Sequence, residues 1–409
     1  MRCDRVHTHF LTRSLKSDVF IFYPHQTYRK REPTHMKMSS PLNSVLTVPS
    51  IGIVGSNSSC AVTRKVPVTV RTGMKRYQLL ALTILVILPV VAKWKMTAQA
   101  AGADNFELAM VIKETTNPYY NATLSGARIA AGEIGGTANN YGPTQSSGQA
   151  QVEIINNLAD RHVPAIAVAP SDPDAVVPAM KRAQKLGAKV VTFDADSAPD
   201  GRPFFVNQAT SDSIGRYGAQ LLVEAMGTKG KVAIVSAQPT AANQNAWIAA
   251  FRDELKKYKD IEIVDEVYGY DNEQKAFDAT VALTTKYPDL TGIFAPTCPG
   301  LPAVARALES VHKAGTIKVS GNCVPSITGK YMLDGTIQGF YLWDPIKLGY
   351  VTYYAAKYLA EGKIQGKAGD SFTIAEGKWP GKYEIDSTGQ IITGEPLQFT
   401  PENIKDYNF

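Results

Sequence analysis

The feature that most constrains the fold of this chain is a regular alternation of short apolar runs and longer amphipathic stretches, which begins at Glu107. The apolar runs are rich in β-branched residues and have the length of strands, and the stretches between them carry apolar residues at helical spacing. The predicted strands are Leu108–Ile112, Ala165–Ala169, Lys189–Phe193, Lys231–Val235, Ile261–Val267, Gly292–Ala295, Ile317–Ser320 and Thr336–Phe340. The predicted helices include Gln149–Arg161, Pro173–Leu186, Gln244–Tyr258, Gln274–Tyr287 and Pro302–Ala314.

This order of elements predicts the fold class. Strand, helix, strand, helix is typical of α/β proteins with doubly wound parallel sheets. About nine strands are more than one sheet of this kind usually holds, so we expect two Rossmann-like lobes. The alternation weakens around Asn207–Asp212, where we expect the chain to cross for the first time from one lobe to the other.

The charge balance differs between the front of the chain and the alternating region. Lys and Arg outnumber Asp and Glu by 43 to 37 in the whole chain. Before residue 104 the counts are 15 and 3, which leaves 28 Lys and Arg against 34 Asp and Glu in the rest. Nucleic-acid binding needs basic side chains clustered on the binding domain itself. The acidic balance of the alternating region therefore argues against a nucleic-acid partner.

A second pattern, ahead of the alternating region, predicts export. Residues 74–76 are Met-Lys-Arg, residues 79–92 form an apolar run, and residues 98–100 are Ala-Gln-Ala. A charged start, a short apolar run and a small-x-small end are the layout of a secretory signal peptide. We therefore predict a signal peptide at 74–100, cleaved after Ala100, and a periplasmic location. An uncleaved membrane anchor is the alternative, although a span needs about 20 apolar residues.

Residues 1–73 precede this signal and show no sustained helical or strand periodicity. Because a signal peptide is an N-terminal segment, we interpret Met74 as the true start and residues 1–73 as a spurious or disordered extension. Four of the six His and two of the four Cys lie there. The few that remain show no metal-ligand spacing, and no Gly-rich phosphate loop follows a strand, so we predict neither a metal nor a cofactor.

Polar and aromatic side chains follow the predicted strands at the points where the strands end. In open α/β sheets, ligands bind beyond the carboxyl ends of the strands, so these side chains are candidates for a binding site. Amides and carboxylates pair with vicinal hydroxyls, and aromatic rings pack on the apolar face of a sugar ring. The candidates are Lys113, Asn117, Tyr119, Tyr120, Asp194, Asp196, Asn243, Gln244, Pro296, Cys298, Asn322 and Trp343.

Several candidates also have a purely structural interpretation, which the sequence leaves open. Asp196 and Asn243 suit a helix or turn cap as well as a ligand contact. Tyr119 and Tyr120 open a predicted helix, so that one of them can face the core, and Trp247 suits packing as well as binding.

A set of motifs in residues 106–409 resembles the periplasmic sugar-binding proteins of ABC transporters, type I and ribose-binding-like. Within that family the resemblance is strongest to the rhamnose-binding and autoinducer-2-binding receptors. The motifs are Asn-Pro-Tyr-Tyr at 117–120, Gly-Pro-Thr at 142–144, Gln149 with Ile-Ile-Asn-Asn-Leu at 154–158, Ala-Ile-Ala-Val-Ala-Pro-Ser-Asp-Pro-Asp at 165–174, Phe-Asp-Ala-Asp-Ser at 193–197, Asn-Gln-Asn-Ala-Trp at 243–247, Leu-Trp-Asp-Pro at 342–345 and Phe-Thr-Pro-Glu-Asn-Ile at 399–404.

The resemblance implies two lobes joined by three chain crossings that act as a hinge. The first lobe takes residues 104–208 and about 341–370, and the second takes residues 209–340 and about 371–409. It also implies a monomer that captures a small sugar and hands it to the membrane subunits of an ABC importer. The ligand contacts of the family fall here on Lys113, Asn117, Tyr119, Tyr120, Asp194, Gln244, Pro296 and Trp343.

Three positions depart from the patterns of particular relatives. The autoinducer-2 pattern has an acidic residue where Asn243 stands and a small residue where Cys298 stands. The ribose pattern has an acidic residue where Asn322 stands. The predicted ligand is therefore a deoxyhexose such as rhamnose or a related small sugar, with an autoinducer-2 receptor as the alternative.

The sequence also bears on two other classes of function. The chain has no Gly-x-Ser-x-Gly and no Cys-His or His-Asp pair at catalytic spacing, so we predict that it is not an enzyme. A sugar-responsive transcription regulator shares the fold, but residues 1–73 show no pair of DNA-binding helices.

Cys298 and Cys323 each follow a strand, and in an oxidising compartment they can either form a disulfide or remain two thiols.

Overall fold

The computed structural model describes residues 106–409. Within them lie two six-stranded sheets and one two-stranded sheet. The predictions for residues 1–73 and for a signal peptide at 74–100 lie outside the described residues. Over residues 106–409, no helix combines the length and the apolar character that a membrane span requires.

The first sheet is entirely parallel. Its strands are β1 (Glu107–Val111), β2 (Thr137–Tyr141), β3 (Ala165–Val168), β4 (Lys189–Phe193), β5 (Phe205–Asn207) and β13 (Gln390–Ile392), and the helices between them are α1 (Tyr119–Ile134), α2 (Gly148–Asp160) and α3 (Val177–Lys185). The spatial order is β13-β5-β4-β3-β1-β2, with every neighbouring pair parallel. The order reverses at β1, so β1 lies at the switch point where doubly wound sheets bind ligands.

The second sheet repeats this plan. Its strands are β6 (Lys229–Ser236), β7 (Asp260–Tyr268), β8 (Leu290–Ala295), β9 (Lys318–Asn322), β10 (Gly339–Leu342) and β14 (Leu397–Phe399), and its helices are α4 (Ser211–Met226), α5 (Ala242–Leu255), α6 (Glu273–Lys286), α7 (Gly300–Ser310) and α8 (Pro325–Leu333). The spatial order is β14-β10-β9-β8-β6-β7, and only β14 is antiparallel to its neighbour. The prediction of two Rossmann-like lobes is confirmed.

The chain passes between the two sheets three times. After β5 it enters α4, which packs on the second sheet, and after β10 it enters α9 (Pro345–Ala360), which packs on α1. A small sheet of β11 (Ser371–Ile374) and β12 (Gly381–Glu384) follows, and the last passage lies between β13 and β14. The predicted three crossings therefore fall at residues 208–210, 343–344 and 393–396.

The prediction that residues 371–409 belong to the second lobe is wrong for part of that segment. Strand β13 pairs with β5 in the first sheet, with Ile391 opposite Val206. Only β14, which pairs with β10, extends the second sheet. The sequence does not show this pairing, because a three-residue strand carries too little periodicity to indicate which sheet it joins.

Two other differences from the predicted elements remain: strand β2 was not predicted because it has no apolar run, and helix α3 begins later than predicted. Strand β2 has the sequence Thr-Ala-Asn-Asn-Tyr and lies at the edge of its sheet, where one side is exposed and apolar residues are not required. Helix α3 begins at Val177 rather than at Pro173. The Asp172 carboxylate accepts hydrogen bonds from the backbone N–H groups of Asp174 and Ala175, which forms a turn that delays the helix.

Helices α1 and α9 approach so closely that glycine is required at their contact. A methyl group on Gly126 of α1 would lie 1.8 Å from the carbonyl oxygen of Ile346. A methyl group on Gly349 of α9 would likewise lie 1.8 Å from the carbonyl oxygen of Thr123. Since both partners are helix backbone, they cannot move aside without displacing a helix. This contact holds α9, and with it the second crossing, against the first lobe.

We predict that Gly126→Ala destabilises the protein by about 1–3 kcal/mol, the usual cost of overpacking. The matched control is Gly132→Ala on the same helix, because an added methyl group there meets no atom within 4 Å. The control should be neutral or stabilising by up to about 1 kcal/mol, since alanine has the higher helix propensity. Urea unfolding of both variants measures the difference, and equal effects would contradict the close helix contact.

Candidate ligand-binding site

The carboxyl ends of the strands of the two sheets enclose a cavity between the lobes. Its volume is about 30 Å³, so in this state it admits only water-sized molecules. Ten of the twelve predicted site residues line it. These are Lys113, Asn117, Tyr119, Tyr120, Asp194, Asn243, Gln244, Cys298, Asn322 and Trp343.

A hydrogen-bonded group of one carboxylate and three aromatic side chains forms the first-lobe wall. The hydroxyls of Tyr119 and Tyr120 donate to the two carboxylate oxygens of Asp194, at 2.9 and 3.0 Å. The indole N–H of Trp343 donates to the hydroxyl of Tyr119 at 2.8 Å. All four side chains are buried, so these polar atoms satisfy one another away from water. Both tyrosines therefore line the cavity as well as packing in the core.

Local backbone geometry positions this group. Asn117, in the loop between β1 and α1, accepts a hydrogen bond at 3.1 Å from the backbone N–H of Tyr119, the first residue of α1. Asp194 follows β4 with a φ of 63°, in the left-handed region that few residues other than glycine adopt. Its carbonyl oxygen accepts from the Gln208 side chain at 3.1 Å, so a residue of the first crossing helps to hold this conformation.

Lys113 connects the two lobes. Its ammonium group donates to the Asn243 side-chain oxygen at 2.9 Å and to the Gln244 side-chain oxygen at 3.4 Å. Lys113 follows β1 in the first lobe, whereas both amides lie in the first turn of α5 in the second lobe. Asn243 is therefore not the N-cap of α5; that position is Ala241.

Two buried carboxyl groups near Lys113 have raised pKa values. Burial raises the pKa of Asp194, and the positive charge of Lys113 and the two tyrosine hydroxyls partly oppose that shift. Burial, followed by the negative charge of Asp271, raises the pKa of Glu114 to about 8. The Glu114 oxygens make no hydrogen bond of good geometry, although the nearby Asn117 amide lowers the pKa in part. Burial thus favours the protonated form of Glu114.

The second-lobe wall presents acceptor atoms toward the cavity. The Thr297 hydroxyl donates to one carboxylate oxygen of Asp271 at 2.7 Å, and the other Asp271 oxygen is buried with no hydrogen-bond partner. The side-chain oxygen of Asn322 is also buried without a partner. A ligand with hydroxyl or amino groups would supply the donors that these atoms lack.

Two predicted site residues lie elsewhere. Asp196 is outside the cavity, where it accepts hydrogen bonds from the Arg202 guanidinium, from the Thr192 hydroxyl at 2.6 Å and from the Ser197 N–H at 2.9 Å. It is therefore a partner for Arg202, which is 8% exposed. Pro296 is buried directly after β8, but the two residues that follow it line the cavity instead.

Four cavity residues were not among the predicted site residues. They are Trp247, Asp271, Thr297 and Leu342. Asp271 follows β7, so the strand-end rule applies to it, and reading the residues beyond Ile261–Val267 would have found it. Trp247 packs on Trp343 with a ring-centroid distance of 5.3 Å, so it serves both the core and the cavity.

The structure settles the state of the two cysteines that the sequence left open. Cys298 and Cys323 form a disulfide, with their Cα atoms 4.2 Å apart. The bond ties the segment after β8 to the segment after β9. Since Thr297 and Asn322 are the immediate neighbours of the two cysteines, the disulfide restrains the second-lobe wall of the cavity.

Comparison with known proteins relates the chain to binding proteins of transporters. The family model described as a periplasmic binding protein domain matches residues 108–364. The D-allose-binding periplasmic protein of Escherichia coli is 24% identical over 223 residues, which cover 53% of this chain and 72% of that protein. The ribose import binding protein of Salmonella typhimurium is 24% identical over 281 residues, which cover 66% of this chain and 90% of that protein.

Solved structures extend the relationship to most of the described residues. A sugar ABC transporter protein from Actinomyces odontolyticus is 39% identical, with a TM-score of 0.60, and the match covers 75% of this chain and 99% of that one. An ABC transporter solute-binding protein from Clostridium phytofermentas, solved with bound L-rhamnose, is 31% identical with a TM-score of 0.71 and the same coverage.

We predict that reduction of the Cys298–Cys323 disulfide lowers the free energy of unfolding by roughly 3 kcal/mol, since the bond closes a loop of 25 residues. Unfolding of the native protein, with and without a reductant, measures this difference. The double variant Cys298→Ser with Cys323→Ser is the control, because reductant should no longer affect it. Peptide mapping that finds both thiols free in the untreated, air-exposed protein would contradict the assignment.

We predict that stability falls as pH rises from about 5 to about 8, because folded Glu114 keeps a proton that the unfolded chain has lost. The pKa of Glu114 is about 8 in the folded protein, against an ordinary value of 4.5. Its contribution to the free energy of unfolding is therefore fully present below pH 4.5 and is lost as the pH rises to about 8. The slope is at most about 1.4 kcal/mol per pH unit. Glu114→Gln should flatten this part of the profile of melting temperature against pH, and an unchanged slope would contradict the shift.

Proposed function

The chain belongs to the periplasmic binding protein family, and on that premise we propose that it captures a small sugar between its two lobes for an ABC importer. Its binding site would be the cavity at the strand ends, where charged, amide and aromatic side chains meet. The observation that carries the proposal is the contact between Lys113 and the amides of Asn243 and Gln244, which joins the lobes at this cavity. A ligand placed there would touch both lobes at once.

Opening and closing of the lobes would control access. The cavity, at about 30 Å³, is too small for a sugar ring, so entry requires the lobes to separate and Lys113 to leave its amide partners. The three crossings at 208–210, 343–344 and 393–396 are short enough to act as a hinge. A bound ligand then favours the closed state by the contacts that it makes only there.

A deoxyhexose such as rhamnose is the ligand that we propose. Asp194, Lys113 and Gln244 would bind vicinal hydroxyls, since they offer paired acceptors and donors. Trp247, Leu342 and Trp343 form an apolar part of the wall that suits the methyl group of a 6-deoxy sugar. The similarity to the protein solved with L-rhamnose supports this choice.

The remaining parts of the proposal concern place and partners. We propose an extracytoplasmic location, delivery of the sugar to the membrane subunits of the importer, and binding without covalent chemistry. The similarity to import binding proteins supports all three. The proposed lobes are residues 106–208, about 343–370 and the segment to Ile392 for the first, and residues 209–342 with the end of the chain for the second, because β10 pairs in the second sheet.

We predict that L-rhamnose or a related small sugar raises the melting temperature of the purified protein, because a ligand that binds only the native state stabilises it by mass action. The panel includes rhamnose, fucose, ribose, arabinose, sugar alcohols and autoinducer-2. Asp194→Ala should abolish the shift, because it removes the carboxylate that organises Tyr119 and Tyr120.

The matched control is Asp196→Asn, a second carboxylate beyond the end of β4 that lies outside the cavity. It should lower the melting temperature, because it weakens the pairing with Arg202, but it should leave the ligand-induced shift intact. No shift with any sugar of the panel would contradict the proposed function. A shift with autoinducer-2 alone would contradict the sugar assignment.

A further inference from the structure

A second and larger cavity opens at the mouth of the cleft. We call it the mouth cavity; its volume is about 420 Å³. The first lobe contributes Thr116, Asn117 and Gln145 to it, and the second lobe contributes Tyr270, Asp271 and Asn272. Both lobes therefore form this cavity together, as they do the inner one.

The mouth cavity adjoins the inner cavity. Asn117 and Asp271 line both of them, one from each lobe. At this junction Asp271 holds a buried carboxylate oxygen with no hydrogen-bond partner, while its other oxygen is held by Thr297. A ligand that extends from the inner cavity into the mouth cavity would pass this acceptor and would supply a hydroxyl donor for it.

An exposed aromatic ring lies on the wall of the mouth cavity. Tyr270 is 46% exposed, one of three large hydrophobic side chains within residues 106–409 that are so exposed. The ammonium of Lys275 lies 4.9 Å from the ring centroid and so restrains the ring. An aromatic plane beside amide side chains is the arrangement that packs on the apolar face of a sugar ring.

The backbone that presents this ring is strained. Tyr270 and Asp271 have φ values of 56° and 49°, so two successive residues with side chains adopt the left-handed conformation. Such a conformation costs free energy at each residue and persists where the surrounding structure imposes it, often at a ligand site. Here the conformation places Tyr270 in the mouth cavity and Asp271 at the junction.

From these observations we propose that the mouth cavity is a second subsite, and that the ligand is a glycoside rather than a free monosaccharide. One sugar ring occupies the inner cavity after the lobes have parted and closed around it, with a sugar hydroxyl between Lys113 and Asn243, and a second ring, joined through the anomeric oxygen, packs on Tyr270. Asp271 accepts a hydrogen bond from a hydroxyl near the linkage. This inference rests on the proposed function, because it assigns the inner cavity to a sugar ring.

Calorimetric titration of the purified protein tests the proposal. The probes are L-rhamnose, L-fucose and D-ribose, each compared with its own p-nitrophenyl glycoside. We expect the glycoside to bind at least as tightly as the free sugar. Tyr270→Ala should weaken binding of the glycoside about tenfold, the scale of one aromatic contact, and should leave binding of the free sugar unchanged. Tyr270→Phe, which keeps the ring, should retain binding of the glycoside.

The outcomes separate this inference from the proposed function. A free sugar that binds while its glycoside does not would overturn the subsite and leave the proposed function intact. An equal effect of Tyr270→Ala on both ligands, or no effect on either, would also overturn the subsite. If neither the free sugars nor the glycosides bind, the proposed function and the subsite both fail.

Discussion

The site depends on one buried ammonium group that finds its acceptors in the opposite lobe. Lys113 is 4% exposed, and a buried charge is costly unless hydrogen bonds compensate for the lost water. The two amide oxygens that compensate belong to Asn243 and Gln244 of the second lobe. In this arrangement of the lobes, protein acceptors therefore stand in for water around the ammonium group. The start of α5 must therefore lie within hydrogen-bonding distance of the Lys113 ammonium, which follows β1. This requirement fixes how the strand ends of the two sheets face each other.

Backbone strain in the described residues marks the same cleft. Five residues other than glycine have a positive φ, and two of them, His162 and His312, come directly after the ends of α2 and α7. A left-handed residue there is a common way to end a helix. The other three are Asp194, which lines the inner cavity, Tyr270, which lines the mouth cavity, and Asp271, which lines both. Among the described residues other than glycine, left-handed backbone away from helix ends therefore occurs only beside the cavities that we assign to the ligand.

The alternation of strands and helices was predictable because each buried parallel strand needs an apolar run, as Ala165–Val168 illustrates with four buried residues. Side chains at strand ends were also predictable, since parallel strands of one sheet end at one edge. The sequence could not show that Asp194 lines the cavity and Asp196 does not. Asp196 instead pairs with the buried guanidinium of Arg202, six residues later, and that contact is not visible in the sequence. The sequence also could not show that β13 belongs to the first sheet, since this depends on pairing with β5, which is distant in the sequence.

The chemistry of the walls explains why a hydroxylated ligand suits this cleft. A hydroxyl both donates and accepts hydrogen bonds, so one inserted between Lys113 and Asn243 can accept from the ammonium and donate to the amide oxygen. Both protein groups would then stay satisfied in the closed site. An apolar group in the same place would separate them and leave a buried charge and a buried acceptor unpaired, at a cost of several kcal/mol. With the proposed sugar as ligand, the contact between Lys113 and Asn243 would therefore disfavour ligands that lack a hydroxyl at this position.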